Sequence, residues 1–151
     1  MYYFIVNPNA KSGKGKTIWM KVCQVMNSKG LAYEALFTEK KGQAARLARE
    51  AAEREDKEKI IVAMGGDGTI SEVMDGIWDH PEVTFAFIPI GSGNDFARSL
   101  GISSDWRKAL DGILLEKHRI YFHPGRLEYN GRVRHFGGSM GIGFDAAVCD
   151  G

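Results

Sequence analysis

The sequence has little of what marks several common classes of protein. Its two cysteines, Cys23 and Cys149, lie far apart and lack metal-ligand spacing, which predicts a reduced, cytoplasmic chain. No apolar run approaches the roughly 20 residues of a membrane-spanning helix, and the first residues carry no basic signal-peptide segment. Because the formal net charge is only +1, a polyanion-binding surface and a nucleic-acid partner are not expected.

What the sequence does contain is a regular alternation of strand-like and helix-like segments. Such βα repeats predict an α/β fold with an open, mainly parallel sheet and helices on both faces. The strand-like runs are 2–6, 31–37, 59–64 and 84–90, and the helix-like runs are 15–28, 42–55, 70–78 and 104–116. We expect residues 1–118 to form one α/β domain.

The chain changes character after this domain. Residues 119–129 and 132–136 are strand-like and flank Asn130-Gly131, a pair typical of β-hairpin turns. The glycine-rich stretch 137–151 ends without a helix or closing strand. We therefore expect residues 119–151 to be either the start of a β-rich second domain, in a fragment of a longer protein, or a hairpin with a disordered tail.

The most informative segment is Gly65-Gly66-Asp67-Gly68-Thr69, between an apolar strand and a helix. Glycines allow the backbone to approach a ligand closely, and exposed amides at a helix start attract anions. Thr69 and Glu72 have capping-box spacing, which predicts the start of the helix. Asp67 would repel phosphates unless a cation bridged them or it accepted hydrogen bonds from a hydroxyl or a water, and Mg²⁺ suits such a bridge. An ordinary tight turn is the alternative.

Two further loops are expected at the same edge of the sheet, where open α/β folds bind ligands. Residues 7–17 hold three lysines close to a helix start, which favours a nearby anion. In the loop 91–96, Ser92 is a candidate hydrogen-bond donor to a phosphate. Asp95 is a candidate second carboxylate near the cation. The alternatives are a solvated lysine loop and an N-cap role for Asp95.

Other nucleotide-binding motifs match less well. Gly15-Lys16-Thr17 ends like a P-loop, but Ala10 stands where the first glycine is required. Gly91-Ser92-Gly93 begins like a dinucleotide fingerprint but lacks the third glycine.

The paired motifs 65–69 and 91–98 resemble the catalytic domain of the diacylglycerol kinase family, in its bacterial lipid-kinase branch related to sphingosine and ceramide kinases. Asn7-Pro8 with Ser12-Gly13 and the later motif 141–146 are also similar to that family. The resemblance implies transfer of the ATP γ-phosphate to a lipid hydroxyl, such as that of diacylglycerol, with Mg²⁺. It also implies a lipid partner and peripheral attachment to the membrane from the cytoplasm. A homodimer is compatible with it.

The resemblance also implies site residues. Those implied at the nucleotide are Asn7, Pro8, Asn9, Ala10, Lys11, Thr38, Gly65, Gly66, Asp67, Gly68, Thr69, Ile70, Ser71, Glu72, Ser92 and Asn94. Asp67 and, through water, Asp95 are expected at Mg²⁺. The catalytic base is expected in a second domain beyond this chain, and His123 stands where the family usually has an acidic residue. An NAD kinase, or a nucleotide-binding module without turnover, is the alternative.

Overall fold

The computed structural model describes residues 1–91, 94–115, 119–123, 126–129 and 132–135. The strands are β1 (Tyr2–Val6), β2 (Tyr33–Phe37), β3 (Ile60–Gly65), β4 (Thr84–Pro89), β5 (Arg119–His123), β6 (Arg126–Tyr129) and β7 (Arg132–His135). The helices are α1 (Ala10–Ser28), α2 (Gln43–Ala52), α3 (Asp67–Ile77), α4 (Asp95–Ser99) and α5 (Trp106–Leu114). None of the helices in these described ranges is long and apolar enough to cross a bilayer.

These strands form one sheet in the order β2-β1-β3-β4-β5-β6-β7. The first four pair in parallel, so that Val6 lies beside both Phe37 and Met64 and Gly65 lies beside Pro89. β5, β6 and β7 continue the sheet in antiparallel pairing. The predicted open, mainly parallel sheet is confirmed.

Helices cover both faces of the parallel strands, as predicted. Alternate residues of a strand point to opposite faces, so Ile5 packs into the layer of α2 and α3 while Phe4 packs into the layer of α1 and α5. β3 is buried along its whole length, which explains why its sequence is continuously apolar rather than alternating.

The predicted start of α3 was wrong. The helix begins at Asp67 with Gly66 as its N-cap, because the glycine turn already brings residues 67 and 68 into the first turn. Thr69 and Glu72 form no capping box: Thr69 Oγ1 lies 3.5 Å from Asn7 Nδ2, and Glu72 accepts a hydrogen bond from the Gly42 N–H.

The strand predicted over 119–129 is two strands. β5 and β6 pair antiparallel, with His123 opposite Arg126, and Pro124, which cannot donate to a strand ladder, lies in sequence between them. β6 and β7 pair as the predicted hairpin requires. The predicted turn at 130–131 and the motif 141–146 lie outside the described residues, and the domain boundary at 118 stays a prediction.

Candidate functional site

The parallel strands all point their carboxyl ends at one edge of the sheet, and a cleft of about 590 Å³ opens there. Three segments form it: the loop after β1, the β3–α3 junction, and the loop after β2, with residues 90, 91 and 94 beyond β4 beside them. This convergence is the arrangement expected of an open α/β sheet.

The loop after β1 is fixed by backbone and side-chain hydrogen bonds. The Asn7 N–H donates to the Met64 carbonyl at 2.9 Å, and Asn7 Oδ1 accepts from the Asn9 N–H at 3.1 Å. A Cβ at Gly15 would lie 2.1 Å from the Asn7 carbonyl oxygen, so only glycine lets α1 pass this close. Asn7, Asn9, Ala10 and Lys11 all line the cleft.

The first turn of α1 is interrupted by left-handed backbone. Lys11 and Ser12 have φ of 52° and 58°, and Gly13 has φ of 94°. Left-handed geometry costs a residue with a side chain on the order of 1 kcal/mol or more. This conformation places Lys11 at the cleft, so the strained turn positions a positively charged side chain in the site.

The β3–α3 junction supplies a helix start and a carboxylate. Asp67 is half-buried, lines the cleft, and accepts a hydrogen bond through Oδ2 from the Asp95 N–H at 3.1 Å. A Cβ at Gly91 would lie 3.0 Å from the Gly66 Cα. The segments after β3 and β4 therefore touch, and bulkier residues at these positions would push them apart.

Asn94 and Asp95 play different parts beside Asp67. Asn94 has φ of 53° and lines the cleft, and its buried Oδ1 has no hydrogen-bond partner within the described part of the chain. The Asp95 side chain is 77% exposed and pairs with Arg98. The structure thus brings the Asp95 backbone, rather than its carboxylate, to Asp67.

Several predicted nucleotide-binding residues do not line the cleft. Ile70 is fully buried in the core between α3 and the sheet, Ser71 is buried, and the Gly65 carbonyl accepts from the Ile90 N–H. The Pro8 carbonyl accepts from the Lys16 N–H. Ser92 lies outside the described residues.

The loop after β2 contributes more than the sequence indicated. Of its residues only Thr38 was predicted, yet Glu39, Lys40 and Lys41 also line the cleft, as does Ala44 at the start of α2. Their position just after a parallel strand was the available signal. The described residues hold no group of three or more His, Cys, Asp or Glu side chains that could bind a metal by themselves.

A second groove of about 410 Å³ adjoins the cleft and shares Lys11, Ile90, Gly91 and Asn94 with it. Lys14 and Arg98 add positive charge, and apolar side chains such as Ile18 and Ile102 complete its lining. The groove is therefore both basic and partly apolar.

An open α/β sheet with a glycine-rich turn and a helix start at its carboxyl edge is an arrangement typical of phosphate-binding domains. The family described as the diacylglycerol kinase catalytic domain matches residues 1–122. The chain belongs to the diacylglycerol kinase catalytic domain family, which confirms the resemblance seen in the sequence.

Individual relatives of the chain support this family assignment. The chain is 31% identical over 152 residues to YtlR of Bacillus subtilis, provisionally named a lipid kinase, covering 97% of this chain and 49% of that protein. It is 36% identical over 124 residues to a diacylglycerol kinase of Staphylococcus carnosus, covering 82% of this chain and 40% of that one. A crystal structure of a diacylglycerol kinase from Bacillus anthracis matches with a TM-score of 0.65 and 32% identity, over 76% of this chain and 39% of that one. The chain thus spans half or less of the length of these relatives.

Proposed function

We propose that the chain is the ATP-binding part of a lipid kinase that transfers the γ-phosphate of ATP to a lipid hydroxyl such as that of diacylglycerol. The observation that carries this proposal is the convergence of the three segments, with Lys11, the Gly66–Gly68 backbone and Thr38, on one cleft. Family membership and the names of the relatives support the acceptor class.

The cleft suits a nucleotide in size and chemistry. Its volume of about 590 Å³ falls within the range of roughly 300–1,000 Å³ common for small-molecule sites. Backbone amides at the start of α3 offer donors to phosphate oxygens, and the helix dipole favours their negative charge. Lys11 adds a mobile cation. Phosphoryl transfer depends on this kind of positioning and charge neutralisation.

The residues present also fit Mg²⁺ bound together with a nucleotide. Mg²⁺ commonly takes one or two protein carboxylates, phosphate oxygens and waters. The half-buried Asp67 supplies a carboxylate, and Asn94 Oδ1, which has no hydrogen-bond partner among the described residues, supplies an amide oxygen beside it. Bound there, the ion would neutralise phosphate charge. Asp95 as a ligand through water stays a prediction, because its carboxylate pairs with Arg98. We assign the catalytic base to no described residue.

The acceptor is proposed to lie at a membrane surface, with the protein attached peripherally. The basic, partly apolar groove beside the cleft supports this, because Lys11 and Lys14 would favour an anionic surface. Co-sedimentation with vesicles of anionic and of neutral lipids tests it. Equal binding to both kinds of vesicle would contradict it.

The proposed function is tested by calorimetry with ATP, ADP and GTP, with and without Mg²⁺. We expect Mg–ATP binding to weaken about tenfold or more in Asp67→Asn, and Asp75→Asn, an exposed carboxylate on the same helix, to behave like the parent. Unchanged affinity in Asp67→Asn would remove Asp67 from the site.

Phosphorylation assays with the longest natural form of the protein decide the acceptor. We expect radiolabelled phosphate from ATP to appear in diacylglycerol and not in NAD. Label in NAD alone would favour an NAD kinase. ATP binding with neither product would favour a nucleotide-binding module.

A further inference from the structure

The segment from Thr38 to Gly42, called here the β2–α2 loop, forms one wall of the cleft with little packing of its own. Thr38 is buried, but the four residues after it are exposed. The four exposed residues gain little from burial and lose conformational entropy when they are ordered. Its position must therefore depend on hydrogen bonds.

Thr38 donates to the Val6 carbonyl, and the Gln43 N–H donates to the Lys40 carbonyl. Two side chains add further hydrogen bonds. Gln43 Oε1, at the start of α2, accepts from the N–H groups of Glu39 at 2.6 Å and Lys40 at 3.2 Å. Glu72 Oε1 accepts from the Gly42 N–H at 2.8 Å. The first acceptor is local, whereas Glu72 belongs to α3, the helix that packs directly against α2.

Gly42 is well placed for this contact. Its φ of 92° is a left-handed conformation that glycine adopts at low cost, and it precedes the first residue of α2. Glu72 itself lies in the second turn of α3, the helix whose first residues, with Gly66, form the glycine-rich wall.

We propose that Glu72 is a positioning residue: it holds the exposed β2–α2 loop against α3 and so fixes where that loop lies at the nucleotide cleft. The identity of the ligand in this inference rests on the proposed function. The hydrogen bond between Glu72 and Gly42 is independent of that function. On this view what matters at position 72 is an oxygen acceptor with the reach of a glutamate, rather than a negative charge.

Reach and charge can be separated by three variants. Glu72→Gln keeps the reach and an acceptor oxygen without the charge, Glu72→Asp keeps the charge with one methylene less, and Glu72→Ala removes both. The first readout is hydrogen exchange of the Gly42 amide in the nucleotide-free protein. We expect exchange about tenfold faster in Glu72→Ala and Glu72→Asp, and near-parent protection in Glu72→Gln.

The second readout is the affinity for Mg–ATP by calorimetry, with Asp75→Ala on the same helix as the matched control. We expect Glu72→Ala and Glu72→Asp to bind about tenfold more weakly, and Glu72→Gln to recover most of that loss. Circular dichroism checks that each variant is folded, and Glu72→Asp carries the test if Glu72→Ala does not fold.

The outcomes separate the positioning role of Glu72 from the proposed function of the chain. Parent-like exchange at Gly42 in both Glu72→Ala and Glu72→Asp would overturn the positioning role. Loss of affinity in Glu72→Gln with Gly42 still protected would also overturn it, because Glu72 would then act through its charge. If the parent binds no nucleotide while Gly42 protection depends on Glu72, the proposed function fails and the structural tie stands.

Discussion

At the scale of single residues, Tyr3 shows how one buried side chain can make stability depend on pH. The side chain is 2% exposed, and its hydroxyl donates a hydrogen bond to Asp56. The Arg54 guanidinium lies 5.7 Å from the ring centroid and bonds both carboxylate oxygens of Glu34. Burial, together with the bond to Asp56, raises the pKa of Tyr3 to about 12.

This shift predicts a loss of stability in alkali. The neutral phenol is favoured by the fold, so its contribution is fully present below the unfolded pKa of about 10 and is lost as pH rises towards 12. We expect the parent to lose about 2 kcal/mol of unfolding free energy over that interval through this group. Urea unfolding at several pH values measures it.

The variant for this test is Tyr3→Phe, which removes the titrating hydroxyl and keeps the ring. Its unfolding free energy should fall less steeply than that of the parent between pH 10 and 12. Identical slopes in Tyr3→Phe and the parent would show that Tyr3 does not cause the loss.

At the scale of elements, the end of α2 depends on a buried lysine. Lys59 is 7% exposed, and its Nζ donates to the carbonyls of Ala52 at 2.5 Å and Arg54 at 2.7 Å. The last carbonyls of a helix lack partners within it, and a cation there also complements the helix dipole. One side chain just before β3 therefore caps the end of α2 and links it to the next strand.

We expect Lys59→Met to destabilise the protein by about 1–3 kcal/mol, because it keeps the apolar stem and leaves two carbonyls without their donor. Thermal and urea unfolding measure the loss. Lys57→Met, at an exposed position two residues earlier, is the control and should change stability by less than about 0.5 kcal/mol. Equal effects of the two variants would contradict the capping role of Lys59.

Elements were more predictable from the sequence than the contacts between them. The apolar strands and helical spacing gave the parallel sheet because burial of both sheet faces leaves a local pattern. The Glu72–Gly42 bond joins residues 30 positions apart, and no local pattern records such a pair. The sequence also did not predict the left-handed backbone of Lys11 and Ser12, because that conformation is typical of glycine and asparagine rather than of lysine or serine.

At the scale of the whole molecule, strand order places the site. β1 lies between β2 and β3, and β4 follows β3, so the segments that form the cleft follow neighbouring strands. The glycine motifs predicted which loops meet, because the carboxyl ends of parallel strands share an edge. They did not predict that Asp95 would present its backbone to Asp67, since that depends on the turn at Asn94.

The same geometry bears on two lysines of the first loop, of which the family resemblance implied only Lys11 at the nucleotide. A P-loop would place Lys16 on the phosphates, whereas the structure places Lys11 in both the cleft and the adjoining groove, and Lys16 lines neither of these two. Ligand binding to the folded state raises stability by RT ln(1 + [L]/Kd). Stabilisation by Mg–ATP therefore reports which lysine contacts the nucleotide.

We expect Lys11→Ala to bind Mg–ATP about tenfold more weakly, since a charge-assisted contact to phosphate is removed, which lowers the stabilisation at high ligand concentration by about 1.4 kcal/mol. Lys16→Ala, at an equally exposed position five residues on, should retain the parent's thermal shift. The measurement is the melting temperature against Mg–ATP concentration at low and high salt, because screening weakens an exposed contact. A larger loss in Lys16→Ala than in Lys11→Ala would restore the P-loop interpretation and contradict the cleft described above.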